Sequence, residues 1–393
     1  MMDVIPDPVR RSIICSIMAA NLQNALPVPT PGHPPHVSRL RADFADAPFI
    51  VIWEVTRACA LACLHCRADA IPHRSPFELS TAEAFALIDR VRAFGDPPPL
   101  FVLTGGDPMR RPDLVPIVAH AAGRGLTVAL TPSGTAAVTR TKIAALRDAG
   151  LSRVAVSLDG PDAETHDAFR RVRGSYGWTM RIIEAVSDLG MPLQINTTIG
   201  RLTYPHVEAM AEQVRRLPIA LWAVFFLIAT GRGAGLEPIS ADECEALLER
   251  LHEMAGTVPF GIKTTEAPQF HRVAAQRRAA DGQGAAAPGH PGLRAPRSVN
   301  DGNGFVFIDH TGQICPSGFL PLPRGNVRQQ DLVAVYRHDD LFLRLRDATL
   351  LEGKCGRCEF REVCGGSRSR AYAATGSPFG ADPLCAYIPA GAR

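Results

Sequence analysis

Cys59, Cys63 and Cys66 stand at C-x3-C-x2-C spacing in the run Cys59-Ala60-Leu61-Ala62-Cys63-Leu64-His65-Cys66. Three thiolates this close can hold three irons of a cubane iron–sulfur cluster and leave the fourth iron without a protein ligand. Closed clusters usually take four cysteines, so the missing fourth suggests that a small molecule completes the site. The competing reading is a zinc site short of one ligand, with His65 as the substitute. Zinc sites favour C-x2-C elements closed by a further pair. Near the carboxyl end, Cys355-x2-Cys358-x5-Cys364 and the more distant Cys385 form a second group. Four thiolates in a small, loop-rich module fit a complete cluster or a structural zinc.

Ten cysteines in 393 residues could belong to a secreted disulfide protein, but seven fall in these two groups and only Cys15, Cys244 and Cys315 lie apart. In a chain of this size such bunching points to metal or redox chemistry in a reducing compartment. Apolar residues make up 46% and charged residues 21%, as in a soluble globular protein long enough for two domains. The formal charge of +3 comes without a long basic run, so nothing points to nucleic acid or an anionic membrane. No apolar stretch is long enough to span a bilayer.

The elements that must position the cysteines begin near residue 47. Apolar runs at 50–55, 100–104, 126–131, 153–158, 193–199 and 221–227 read as strands buried on both faces. Helical patterns lie between them at 81–94, 112–124, 139–149, 176–189 and 205–217. Ser80 with Glu83 opens one as a capping box, and Gly95 and Gly150 act as stops. This alternation predicts a parallel sheet, barrel-like or doubly wound. The polar turns fall after the strands: Cys59–Cys66, Thr104-Gly105-Gly106-Asp107-Pro108, Thr131-Pro132-Ser133-Gly134-Thr135, Ser157-Leu158-Asp159-Gly160 and Thr230-Gly231-Arg232-Gly233. The carboxyl ends of strands are where barrel enzymes place their active sites.

Residues 1–46 read as an extension ending in a proline-rich linker. Its Arg10-Arg11 and apolar Ile13–Ala20 imitate a signal peptide, but an amphipathic helix or upstream translated sequence is the plainer reading. An oxygen-labile cluster belongs in the cytosol. Residues 47–240 then form the core and 241–299 a bridge of helices with an Ala/Gly/Pro-rich linker at 279–298. Residues 300–393 form a second module that opens on a hairpin at Phe305–Gly312. Leu332–Leu345 reads as one helix, and Pro316 and Gly318 put Cys315 in a turn.

In this order the motifs resemble the radical S-adenosylmethionine (SAM) superfamily, across roughly residues 47–390. The resemblance implies an α/β fold, a partial (β/α) TIM-like barrel, with a small C-terminal iron–sulfur domain. Cys59, Cys63 and Cys66 match the motif whose [4Fe-4S] cluster leaves one iron for SAM. Gly105-Gly106-Asp107 matches the family's Gly-Gly-Glu, whose backbone meets the SAM amino group, with Asp in place of Glu. Ser133 and Ser157 fall where strand-end residues approach the SAM carboxylate and ribose, and Asn196 and Thr198 belong to the same side. The C-terminal module resembles SPASM/twitch domains. There Cys355, Cys358, Cys364 and Cys385 match the ligands of one auxiliary [4Fe-4S] cluster. A full SPASM pattern asks for a cysteine where Arg368 stands, and Cys315 is the one remnant of a first auxiliary site.

The phrases Trp53-Glu54-Val55-Thr56-Arg57, Ser317-Gly318-Phe319-Leu320-Pro321, Gly325-Asn326-Val327 and Cys364-Gly365-Gly366-Ser367-Arg368 are similar to those of haem-maturation and peptide-modifying members. Their plainer explanation is architectural. The resemblance implies one-electron cleavage of SAM to methionine and a 5′-deoxyadenosyl radical, which takes hydrogen from a small-molecule or peptide substrate. Flavodoxin or ferredoxin is the implied electron donor. Tetrapyrrole side-chain decarboxylation competes with peptide modification. A zinc-stabilised binding protein and an electron carrier with two closed clusters are the rivals from other classes. Arg170, Arg173 and Arg232 are candidates for substrate carboxylates.

Overall fold

The computed structural model describes residues 44–280 and 299–390. The expectations for Ile13–Ala20, the amino-terminal prolines and 281–298 lie outside the described residues; Ala279 and Ala280 end a helix. Strands β1 (Ile50–Glu54), β2 (Leu100–Thr104), β3 (Val128–Leu130), β4 (Leu151–Ser157), β5 (Leu193–Ile199), β6 (Leu221–Phe226) and β7 (Gly261–Thr265) pair in sequence order, all parallel. On the other side of β1 lies β8 (Phe305–Ile308), also parallel to it, followed by antiparallel β9 (Gln313–Cys315) and β10 (Gly325–Asn326). The hairpin expected near 305–312 is therefore present, and its first strand also extends the main sheet. The crossovers carry α1 (Thr81–Arg92), α2 (Leu114–Gly123), α3 (Arg140–Asp148), α4 (Ala163–Arg170), α5 (Ser175–Asp188), α6 (Val207–Arg215) and α7 (Ala241–Ala255), and α8 (Gln269–Ala280) follows β7.

The two faces of the sheet differ in chemistry. Val51, Trp53, Phe101, Leu103, Val154, Val156, Ile195, Trp222 and Val224 join one core with helix residues such as Leu87, Ile117, Ile143 and Ile182. Each of the larger apolar side chains contributes roughly 1.5–3 kcal/mol by leaving water. Along β5 the alternation is clear: Leu193, Ile195, Thr197 and Ile199 are buried, while Gln194, Asn196 and Thr198 are half-buried. Thr197 is the polar exception on the helix side, and it is satisfied there. Its hydroxyl donates to Leu158 O at 2.8 Å and accepts from Trp222 Nε1 at 2.9 Å.

The local signals act as the sequence indicates. Ser80 and Glu83 cap each other reciprocally at the start of α1, and Gly95 and Gly150 take positive φ of 91° and 104° after their helices. Three readings are corrected. The helix expected over 332–345 is two, α9 (Leu332–His338) and α10 (Asp340–Leu345), because Asp339 leaves helical geometry and accepts from the Leu341 and Phe342 amides. Cys315 lies not in a turn but at the end of β9, opposite Phe307. The interval from β4 to β5 holds α4 as well as α5; Asp162 starts α4 by accepting from Thr165 N at 2.8 Å.

Candidate active site

The loop after β1 carries the three cysteines, and four other segments fix it. Gly106 N donates to Thr56 O and Asp107 N to Ala58 O, both at 2.7 Å. This approach leaves no room for side chains. A Cβ on Gly105 would meet Thr56 O at 2.2 Å, and one on Gly106 would meet the Arg57 and Ala58 oxygens at 2.5 Å. From the loop after β6, Arg232 N donates to Cys66 O at 3.0 Å and its Nε to Cys63 O at 2.9 Å. Gly231, at φ +53°, is needed there because a Cβ would lie 2.5 Å from Cys66 O. From α4, Phe169 O accepts from Leu64 N at 3.0 Å, and the Phe169 ring stacks on His65 at 4.4 Å. Downstream, Cys59 N bonds Ile71 O at 2.8 Å.

All nine cysteines among the described residues are free thiols. Each of the three sulfurs has a donor: Leu61 N to Cys59 Sγ at 3.3 Å, Arg170 Nη1 to Cys63 Sγ at 3.6 Å, and Ala70 N to Cys66 Sγ at 3.4 Å. Burial pushes the Cys59 and Cys63 thiols up, against the pull of Ser133 on one and Arg170 on the other. Coordination deprotonates such thiols outright, and the N–H donors then face sulfur anions. This donor set fits an iron–sulfur cluster. No three His, Cys, Asp or Glu side chains among the described residues converge as a single metal ion requires. His65, the substitute ligand of the zinc reading, is turned against Phe169. Burial first and the Arg170 charge second push its imidazole down to about 3, so the ring is neutral.

The predicted SAM residues fall into two sets. Ser133 lies at the cysteine loop, donating to Gly106 O at 2.6 Å and meeting Cys59 Sγ at 3.4 Å. Asp107 is wholly buried; it accepts from Met109 N, Ser133 N and Thr135 Oγ1, so its carboxylate ties the loops after β2 and β3 together. The second set lies across the sheet, with Ser157 beside Asn196 in register. Thr198 N donates to Asp159 Oδ1 at 2.7 Å.

Asp159 is the residue the sequence did not assign. It is buried and ion-paired with Arg170. Burial raises its pKa, but the Arg170 guanidinium outweighs that and keeps it a carboxylate. The signal was the Asp162 cap followed by His166, Phe169 and Arg170 at helical spacing. Two of the three candidate substrate arginines are engaged within the protein. Arg170 is held by Asp159 and Cys63, and Arg232 by the carbonyls of Cys63 and Ala70. Arg173 is exposed.

At the other end, Cys355, Cys358, Cys364 and Cys385 line one pocket with Gln269, Arg272 and Tyr387. Arg368, standing where a further cysteine was sought, is buried. It braces the Gly366, Pro378 and Gly380 carbonyls and reaches Cys355 Sγ at 3.7 Å. An Arg370–Asp382 ion pair and Arg370 Nη2 on Glu266 O, at 2.6 Å, fasten this region to the end of β7.

Parallel strands with a three-cysteine loop at their carboxyl edge define an α/β partial-barrel enzyme. Residues 53–214 match the radical SAM superfamily. The chain is 40% identical to an AdoMet-dependent heme synthase of Oleidesulfovibrio alaskensis, covering 90% of this chain and 91% of that one. To the AdoMet-dependent heme synthase of Methanosarcina barkeri it is 36% identical, over 88% and 98%. The crystal structure of Streptococcus suis SuiB bound to precursor peptide SuiA shares the fold, with a TM-score of 0.66 at 15% identity, covering 98% of this chain and 83% of that one. The chain belongs to the radical SAM superfamily. It is a radical SAM enzyme, using SAM (AdoMet) and a [4Fe-4S] cluster.

The close backbone contact after β2 gives a direct test. Gly106→Ala must push the Arg57 and Ala58 carbonyls away and displace Cys59. A shift of about 1 Å at a reacting centre can cost on the order of 100-fold, so dithionite-driven release of 5′-deoxyadenosine should fall by about that factor. Chromatographic product assay checks it; wild-type rates would show that the contact positions nothing.

Proposed function

We propose that Cys59, Cys63 and Cys66 hold the cluster that binds SAM, and that the enzyme removes a carboxylate from a tetrapyrrole side chain. The observation that carries the substrate is the identity, along about nine-tenths of both chains, to proteins named as AdoMet-dependent heme synthases. The cluster and SAM supply a hydrogen-abstracting radical when bound. The chain's residues hold and orient. The β2 loop turns its Gly106 and Asp107 N–H groups inward to Thr56 and Ala58, which leaves carbonyl oxygens rather than donors for an incoming ammonium. Ser157, Asn196 and Thr198 line the half-buried polar face on which the rest of SAM and the substrate lie. Cys355, Cys358, Cys364 and Cys385 hold an auxiliary [4Fe-4S] cluster.

In the substrate, a propionate that loses a hydrogen atom, carbon dioxide and one further electron becomes a vinyl group. A one-electron acceptor such as an iron–sulfur cluster held by Cys355, Cys358, Cys364 and Cys385 would take up that electron. A flavodoxin or ferredoxin supplies the reducing electron for SAM, and the site works in the cytoplasm. No described helix is long and apolar enough to cross a membrane. The test is anaerobic incubation of the reconstituted enzyme with SAM, dithionite and iron coproporphyrin III. Mass spectrometry should show loss of carbon dioxide and two hydrogens from each propionate acid processed. An unchanged porphyrin with steady 5′-deoxyadenosine release would overturn the substrate and leave the enzyme class standing.

A further inference from the structure

The edge strand β7 carries a charge the SAM chemistry does not use. Lys263 pairs in register with Ala223, Ala223 with Asn196, and Asn196 with Ser157. Paired residues of a parallel sheet project to the same face, so Lys263 leaves β7 on the polar inner face. Its neighbour Ile262 points the other way and belongs to the core. Arg153 lies two and four residues before Ala155 and Ser157 on β4, and so shares the inner face.

Neither cation has a hydrogen bond or ion pair among the described residues. Water reaches Lys263, yet protein surrounds it, as it does a side chain inside a half-barrel. That crowding first, and the Arg153 charge second, bring its ammonium down to about 8; burial lowers Arg153 as well. Two like charges near each other without a counterion are unfavourable, and an anion between them removes the penalty. No acid among the described residues supplies one. Gln194 is bonded to Asn196. Glu266, the next acid after β7, accepts from the Ser367 hydroxyl, and burial and Asp301 raise its pKa towards the neutral form. Asp159 is committed to Arg170.

We propose that Arg153 and Lys263 form a clamp on the inner face that binds a carboxylate of the substrate. Arg153 offers a fork of N–H donors and Lys263 a point charge. The clamp rests on the tetrapyrrole reading for the carrier of that carboxylate, a propionate, and on the strand register for its own position.

The test titrates the anaerobically reconstituted, full-length enzyme with iron coproporphyrin III, followed through the porphyrin's visible absorbance, and with radiolabelled SAM by equilibrium dialysis. Arg153→Gln and Lys263→Met should each raise the porphyrin Kd about tenfold or more, as expected for loss of a hydrogen bond between charged groups. Lys263→Arg should recover most of the affinity. Lys142→Gln, an equal charge change on exposed α3, should leave it unaltered. Visible iron–sulfur absorbance shows that each variant has kept its fold and clusters.

Porphyrin affinity unchanged in both Arg153→Gln and Lys263→Met overturns the clamp and leaves the tetrapyrrole reading intact. A tenfold loss of SAM affinity with porphyrin binding intact overturns it too, by assigning the cations to the SAM carboxylate. If the wild type ignores the porphyrin but binds a glutamate-containing peptide, with the same losses in both variants, the clamp stands and the tetrapyrrole reading falls. Wild-type binding of neither probe overturns the clamp.

Discussion

Replacing Cys59, Cys63 and Cys66 together by alanine should abolish release of 5′-deoxyadenosine from SAM. The wild-type protein, reconstituted without oxygen and reduced with dithionite, should release it slowly even without substrate. The expectation rests on the loop geometry. The three sulfurs each meet a donor, from Leu61 N, Arg170 and Ala70 N. The loop backbone is gripped by the turns after β2 and β6 and by α4. The scaffold therefore does not need the thiols to hold its shape, and the triple variant should fold. Iron should fall by one cluster while the carboxyl-terminal group keeps its own. Chromatography of the nucleoside product and iron analysis give the two readings. Undiminished cleavage would sink the assignment of the cluster to this loop.

The features legible in the sequence were those in which one residue type has one physical use. Six parallel strands were visible because their apolar runs must be buried, and the capping box of Ser80 and Glu83 because its reciprocal bonds need those residues. Strand β7 was not, since Gly-Ile-Lys-Thr-Thr has one large apolar residue. Its outer face needs only Ile262, while its inner face carries Lys263. The feature that hid the strand is thus the one with chemistry to offer. Helix α4 was hidden for a related reason: His166 and Arg170 look like a surface but turn inward to Asp159 and the cysteine loop.

The family-like phrases turn out to be architectural at several positions. Trp53 is buried beneath Arg111, whose guanidinium lies 5.3 Å from the ring centre. Glu54 is buried, which raises its pKa, but Arg67 at 2.6 Å and His310 at 2.9 Å outweigh the burial and keep it ionised. Gly318 lets the chain lie against the Phe307 ring, where a Cβ would come within 3.1 Å. The Glu54–His310 pair holds β1 to the carboxyl-terminal strands. No local pattern announces such pairs, because the partners Glu54 and His310 are 256 residues apart.

Cys385→Ala should remove the auxiliary cluster, or convert it to a three-iron form, in protein that already lacks the amino-terminal triad; Cys315→Ala should leave its spectrum unchanged. The two cysteines are in different surroundings. Cys385 shares its pocket with Cys355, Cys358 and Cys364. Its backbone is tied in from both sides: Cys385 N bonds Asp382 O at 3.3 Å, and the Lys354 ammonium donates to Cys385 O. Cys355 Sγ accepts from Asp382 N at 3.4 Å and from Arg368, so the same short segment serves two of the four cysteines. Cys315 is 5% exposed, paired with Phe307 in the sheet, and its thiol is pushed up to about 12, first by burial. A buried cysteine of this kind behaves as a small apolar residue, so its loss should cost packing and no iron. Iron counting with absorption and electron paramagnetic resonance spectra on the single variants decides it. Loss of the cluster in Cys315→Ala with an intact cluster in Cys385→Ala would exchange the two ligands and leave the enzyme class untouched.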